Sequence, residues 1–97
     1  MANQIAQTIS NQIGGGALYM IGAKNLVAHD DGLSFRIGRN SKSVNYIKIT
    51  LTAADLYDIE FGYIRGTTYK VRSSEEGLYF DMLRSSIERN TGLYTSL

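Results

Sequence analysis

The sequence contains no cysteine and no proline. The missing cysteine excludes disulfide bridges, thiol nucleophiles and cysteine-ligated metal sites. Without proline, glycine and Asn or Asp residues must end the helices and form the turns. No apolar run approaches the roughly 20 residues of a membrane-spanning helix. No Lys or Arg precedes Lys24, so we expect no secretory signal. Together these absences predict a soluble, cytoplasmic protein.

Neither sign of charge is in clear excess. Ten Lys and Arg residues stand against nine Asp and Glu residues, which gives a formal net charge of +1. The field of the whole molecule therefore provides no strong attraction to nucleic acid or to anionic lipid. A chain of 97 residues, 43% of them hydrophobic, has the size and composition of one globular domain.

Hydrophobic periodicity predicts a helix, then a series of strands, then a second helix. Ile5, Ile9 and Ile13 recur every four residues, so we predict an amphipathic helix over residues 3–13 that the glycines at 14–16 end. Strands are predicted at about 17–28, 33–37, 46–51, 57–64 and 68–72. In the last two strands, the side chains predicted to face inward are Tyr57, Ile59, Phe61, Tyr63, Tyr69 and Val71.

The second helix is predicted at about residues 74–90. Ser73 and Glu76 have the spacing of a capping box, and apolar residues recur at helical spacing after them. Short polar turns between the strands favour antiparallel pairing in chain order. The predicted fold is therefore a single α+β domain over residues 1–97. It has a four- to five-stranded antiparallel meander, and the N-terminal and C-terminal helices cover one face of the sheet.

Residues 35–51 carry four cations and no acid. The segment also offers side-chain hydrogen-bond donors, and it is compatible with a solvated loop, a contact for an acidic protein surface or a contact for nucleic acid. Because Gly38 is its only glycine, it does not match a phosphate-binding loop. The candidate partner-binding residues are Arg36, Arg39, Asn40, Lys42 and Lys48.

The nearly balanced charge and the shortage of outward aromatic side chains favour an acidic protein partner for this segment. Tyr46 is the only strand aromatic predicted to face outward. An RNA-binding sheet needs several such rings for base stacking. A contact with nucleic acid is therefore the alternative interpretation.

The remaining polar clusters do not have the spacing of a catalytic or metal site. His29, Asp30 and Asp31 are adjacent, so in an extended chain they point in different directions and are typical of a turn. Asp58 and Glu60 share a strand face, where we expect them to pair with Lys48 and Lys70. We therefore predict a protein that is not an enzyme and that binds no cofactor and no metal.

The first 23 residues hold no charged side chain. The polar face of the predicted helix 3–13 consists of amides and hydroxyls, which can enter an interface without the desolvation cost of a charge. This helix is either a weakly polar cover for the sheet or an interface with a second copy or with a target. The candidate oligomer interface is Gln4, Gln7 and Asn11.

The segments "GAKNLVAHDDGLSFRIGRNSKSVNYIKITL", "YDIEFG" and "ERNTGLY" resemble short proteins carried by phages, prophages and other mobile elements. The resemblance implies a small protein that binds a host protein, and some proteins of this kind block bacterial defence systems such as CRISPR effectors. The expected function is therefore non-enzymatic: a phage-type binding protein that covers a surface of a host protein, in the host cytoplasm. The alternative is a nucleic-acid-binding accessory protein that uses the basic edge 36–48.

Overall fold

Five antiparallel strands form one sheet, and helices from both ends of the chain pack on it. The computed structural model describes residues 3–95. The elements are α1 (Asn3–Ile13), α2 (Gly15–Met20), β1 (Lys24–His29), β2 (Gly32–Arg36), β3 (Tyr46–Leu51), β4 (Tyr57–Arg65), β5 (Thr68–Leu78), a 3₁₀ turn (Phe80–Met82) and α3 (Leu83–Thr91). The strands lie side by side in chain order, from β1 to β5. The predicted α+β meander with terminal helices is confirmed.

The hydrophobic core lies between the inner face of the sheet and the helices. Ile9 and Ile13 of α1 are fully buried, as the four-residue spacing predicts. They join buried side chains from the strands and from α3, among them Phe35, Ile47, Ile49, Ile59, Phe61, Leu83 and Ile87. Each such side chain contributes about 1.5–3 kcal/mol through its burial. We call the opposite face of the sheet, which carries Tyr46 and Lys48, the outer face.

The prediction of an extended segment over 17–28 is wrong in its first half. Gly15 and Gly16 do not end the helical region but begin α2, and only Lys24–His29 is a strand. The break between α1 and α2 rests on Gly14 alone, whose φ is 93°. Burial of Ala17 and Leu18 provides the tertiary contacts that outweigh the poor helix propensity of glycine.

The prediction of a helix from residue 74 is also wrong, because β5 continues to Leu78 and α3 begins only at Leu83. Ser73 and Glu76 therefore lie in a strand and do not cap a helix. A β-bulge in β5 interrupts the simple alternation on which the prediction of the strand end depends. Val71 lies opposite Gly62 and Ser73 lies opposite Phe61, so that Arg72 is one extra residue in β5.

Because of the extra residue, the odd-numbered side chains of β5 lie on one face of the sheet before the bulge and on the other face after it. Before it, Tyr69 and Val71 lie on the outer face and are 40% and 55% exposed, so their predicted inward orientation is wrong. Lys70 instead lies opposite Tyr63, on the helix side. After the bulge, Ser73 and Glu75 turn toward the helices.

Polar contacts attach α3 to this part of β5. The Ser73 hydroxyl donates to Asn90 Oδ1 at 2.8 Å. Arg89 Nη2 donates to Glu75 Oε1 at 2.6 Å, and Asn90 Nδ2 donates to Glu75 Oε2 at 2.5 Å. The hydrogen bond from Arg89 holds the pKa of the Glu75 carboxyl below its ordinary value.

Candidate functional site

The meander places two connections at the same end of the sheet. Because successive strands run antiparallel, the β2–β3 loop (37–45) and the β4–β5 turn (66–67) lie beside each other. Neither 36–46 nor 61–74 contains an acidic residue. We call this the basic end, defined by Lys24, Arg36, Arg39, Lys42, Arg65, Lys70 and Arg72.

Two adjoining depressions occupy the basic end. The first has a volume of about 390 Å³ and is lined by Tyr63, Thr68 and three cations, Arg65, Lys70 and Arg72. The second, of about 500 Å³, is lined by Lys24, Arg36, Arg39 and residues of the β2–β3 loop. Tyr63 lines both. Among residues 3–95, six cations and no carboxylate line the pair, which we call the basic cleft.

Tyr63 stands at the junction of the two depressions and contacts one of the cations. The Arg72 guanidinium carbon lies 5.4 Å from the centroid of the Tyr63 ring, within the range of a cation–π interaction. Arg72 is the extra residue of the β5 bulge, which frees it from a direct partner on β4. The bulge therefore aims an arginine into the cleft, as bulges often do beside functional sites.

Asn40 organises the β2–β3 loop from within. Its Nδ2 donates to the carbonyls of Gly38 at 2.9 Å and Val44 at 2.5 Å. Its Oδ1 accepts hydrogen bonds from the backbone N–H groups of Lys42 at 3.1 Å and Val44 at 3.2 Å. The amide of Asn40 is therefore already used inside the loop, and its effect is to hold the exposed side chains of Arg39 and Lys42 on a fixed backbone.

Asn45 ties this loop to the end of β4. Its Nδ2 donates to the Ile64 carbonyl at 2.8 Å, and its Oδ1 accepts from the Ile64 N–H at 2.7 Å. Arg36 Nε donates to the Asn45 carbonyl at 3.2 Å. The two halves of the basic cleft are thus held in a fixed relative position.

Lys48 lies apart from the other four predicted partner-binding residues. It is exposed on β3, directly opposite Glu60, and lines a different depression together with the carboxylates Asp58, Glu60, Glu75 and Glu76. The structure therefore brings Arg36, Arg39, Asn40 and Lys42 together and places Lys48 among acids.

The expected ion pairs of Asp58 and Glu60 with Lys48 and Lys70 do not form. Within the described part of the chain, the one ion pair is Arg89–Glu75. Lys70 is turned away by the bulge. Asp58 instead accepts a hydrogen bond from the Gly77 N–H at 3.1 Å.

Glu60 accepts a hydrogen bond from the Tyr69 hydroxyl at 2.5 Å. Burial and this hydrogen bond raise the pKa of the Tyr69 phenol above its ordinary value. The Tyr69 ring also meets Tyr46 edge-on, with 5.5 Å between ring centroids, so the outer face carries two aromatic rings where one was predicted.

Acidic side chains gather at the opposite end of the strands. Asp30 and Asp31 lie in the β1–β2 turn, Asp55 lies in the β3–β4 connection, and Asp58 follows at the start of β4. The net charge of +1 therefore hides a segregation of the two signs along the strands. The balance of charge that argued against a phosphate-binding surface is a property of the sequence total and not of the basic end.

The predicted oligomer interface forms a separate surface on α1. Gln4, Gln7 and Asn11 are all exposed, and Gln7 Nε2 donates to Asn11 Oδ1 at 3.0 Å. None of the three lines the basic cleft. Their role in self-association stays a prediction.

His29 has a structural contact inside the sheet. Its Nε2 lies 2.8 Å from the hydroxyl oxygen of the buried Ser34. Between residues 3 and 95, no three His, Asp or Glu side chains are grouped as metal ligands. In the same range, no helix combines the length and the hydropathy needed to cross a membrane.

Comparison with known proteins gives no relative: no family model matches the chain, and neither does any curated protein or solved structure. The basic cleft therefore has to be interpreted from its own residues. Those that sequence analysis missed are Lys24, Tyr63, Arg65, Lys70 and Arg72. The sequence does contain a signal for most of them: residues 61–74 are a second stretch without an acid, and this stretch carries three cations.

Proposed function

We propose that this protein is a non-enzymatic binding protein whose basic cleft takes the phosphate backbone of a nucleic acid. The observation that carries the proposal is the lining of the two adjoining depressions, where six cations stand together and no carboxylate of the described chain intervenes. A cleft lined by charge of one sign concentrates its field and attracts polyanions even when the net charge of the molecule is small.

The kinds of cation also fit phosphate. Four of the six are arginines: Arg36, Arg39, Arg65 and Arg72. A guanidinium group can donate two parallel hydrogen bonds to one phosphate, and it loses less hydration than an ammonium group when it does so. Each phosphate that a cation neutralises also releases condensed counterions, which favours binding at low salt.

The test is fluorescence anisotropy with labelled oligonucleotides over a series of salt concentrations. The wild-type protein should bind with a Kd in the micromolar range at low salt, and affinity should fall steeply as salt rises. Replacing Arg65 and Lys70 with alanine should weaken binding at least tenfold. It should also reduce the log–log salt slope by about one unit per contact removed.

The matched control is Lys48→Ala, which removes one exposed cation that lies outside the cleft. It should change affinity less than twofold. Absence of binding at low salt, or an equal loss in the control and the cleft variant, would contradict the proposal.

A second candidate function is the covering of an acidic surface on a host protein. The observation in its favour is the loop held by Asn40, which presents Arg39 and Lys42 without further ordering. Preorganised arginines lower the entropic cost of a protein contact. The phage-type resemblance, which stays a prediction, would make a host defence complex such as a CRISPR effector a target of this kind.

This candidate has its own experiment. Tagged protein would be incubated with host lysate, with and without nuclease treatment, and retained proteins would be identified. Arg39→Glu combined with Lys42→Glu should abolish capture of a specific protein. Capture that disappears with nuclease treatment alone would instead support nucleic acid as the partner.

A further inference from the structure

We infer that the basic cleft selects single-stranded over double-stranded nucleic acid, with a base stacked on Tyr63. This inference rests on the proposed function and names the ligand class more narrowly. It comes from the position of one aromatic ring between two groups of cations.

Tyr63 lines both depressions, with Arg65, Lys70 and Arg72 on one side and Lys24, Arg36 and Arg39 on the other. A strand whose phosphates contact both groups must therefore pass over or beside the ring. Aromatic rings inside a positively charged groove are the usual arrangement of proteins that bind single strands, because every base has a face that can stack.

The Tyr63 ring is held in place for this role. It is half-buried, its residue pairs with Lys70 across the β4–β5 ladder, and its ring contacts Arg72 at 5.4 Å. A ring that is already fixed loses little conformational freedom when a base stacks on it. Arg72 lies over one face of the ring, which leaves the other face for a base, and its guanidinium plane can itself stack on a neighbouring base.

The concave form of the site is the second argument. Depressions of about 390 and 500 Å³ fall within the volume range of small-ligand sites. In a duplex, the bases stay stacked inside the helix, so they cannot enter such depressions. In a single strand, they can turn out of the backbone path.

The experiment compares four labelled ligands of about twelve units on the wild-type protein. These are an oligothymidine, an abasic oligomer with the same phosphates, a duplex and a poly-glutamate peptide. The oligothymidine should bind about 5- to 150-fold more tightly than the abasic oligomer, which is the range that one stacked base provides. It should also bind more tightly than the duplex.

Two substitutions locate the contact. Tyr63→Leu should bring the affinity for the oligothymidine down to that for the abasic oligomer, whereas Tyr63→Phe should retain the difference. Tyr46→Leu, which removes a ring on the outer face, is the matched control and should leave the difference unchanged. If Tyr63→Leu does not fold, the comparison of ligands on the wild-type protein still decides the matter.

The outcomes separate this inference from the proposed function. Equal affinity for oligothymidine and abasic oligomer would overturn the stacking inference and leave phosphate binding intact. Preference for the duplex would overturn it as well, and would indicate that the β4–β5 hairpin enters a groove. Binding of poly-glutamate without binding of any oligonucleotide would overturn both.

Discussion

Replacing Glu75 with glutamine tests whether α3 is held to the sheet by the carboxylate on β5. Glu75 accepts hydrogen bonds from Arg89 at 2.6 Å and Asn90 at 2.5 Å. A hydrogen bond to a charged group contributes about 1.5–3 kcal/mol when shielded from water. The Arg89 side chain is 53% exposed and that of Glu75 25%, so we discount this figure for solvent screening. Because the glutamine oxygen can still accept from Asn90, the expected loss is about 1 kcal/mol.

The pH dependence follows from the lowered pKa of the Glu75 carboxyl, whose main cause is the hydrogen bond from Arg89. A carboxyl whose pKa is lower in the folded than in the unfolded state stabilises the fold above its unfolded value of about 4.3. That contribution disappears as the pH falls through the lowered folded value. The difference in unfolding free energy between wild type and Glu75→Gln should therefore be largest above about pH 5 and shrink toward zero below about pH 4.

The assay is urea unfolding followed by circular dichroism at several pH values, together with thermal unfolding at neutral pH. A loss of about 1 kcal/mol should lower the melting temperature of a domain of this size by about 5 °C. Glu76→Gln is the matched control, because the neighbouring Glu76 is exposed and makes no hydrogen bond among those described. If both variants lose the same stability, or the difference for Glu75 does not change with pH, the attachment of α3 through this carboxylate is refuted.

Three further predictions concern packing and association. Gly32→Ala should lower the free energy of unfolding in urea by at least about 3 kcal/mol, because the added Cβ would lie 1.9 Å from the Ile49 carbonyl oxygen. Its control is Gly16→Ala, where the added Cβ has nothing within 4 Å. This change should be neutral or stabilising by up to about 1 kcal/mol. Phe61→Ala should cost about 3–5 kcal/mol and leave little folded protein by circular dichroism, whereas Asp58→Asn should cost less than about 1 kcal/mol. Replacing the exposed residues Gln4, Gln7 and Asn11 of α1 with glutamate should weaken self-association in sedimentation. A monomer in both the wild type and this variant would contradict the predicted interface.

The sequence predicted β3 and β4 well because their pairing follows the simple alternation of a strand. Residues 46–51 and 57–64 coincide with the observed strands to within one residue. Ile47, Ile49, Ile59 and Phe61 all reach the core, as their alternation predicts.

Alternation fails at β5 because the bulge adds Arg72 to the strand as an extra residue. After Arg72, the inward positions are occupied by Ser73 and Glu75, whose polarity is matched by Asn90 and Arg89 on α3. That match exists only once the helix is docked. Local periodicity does not reveal this tertiary match. The polar segment that precedes the apolar residues of α3 therefore resembles the start of a helix.

The sequence predicts only the part of the candidate site that lies around the β2–β3 loop. The acid-free stretch that includes Arg36 and Arg39 is predicted as a binding segment from the sequence. Simple alternation instead places Lys70 in a ladder with Asp58 and Glu60, because it predicts the wrong face for the Lys70 side chain. Strand pairing brings the two stretches together where Tyr46 lies opposite Gly62, and pairing between residues so far apart in the sequence is not visible in the charge pattern of either stretch.

The segregation of acids and bases along the strands affects the orientation of the protein in an electric field. Charges of opposite sign at the two ends give the molecule an electric dipole moment along the strands, which its net charge of +1 does not reveal. In the field of a polyanion, that moment exerts a torque which turns the basic end forward before any contact forms. If the basic cleft binds a polyanion as proposed, the aspartates of the distant turns would repel the wrong orientation during approach without touching the ligand.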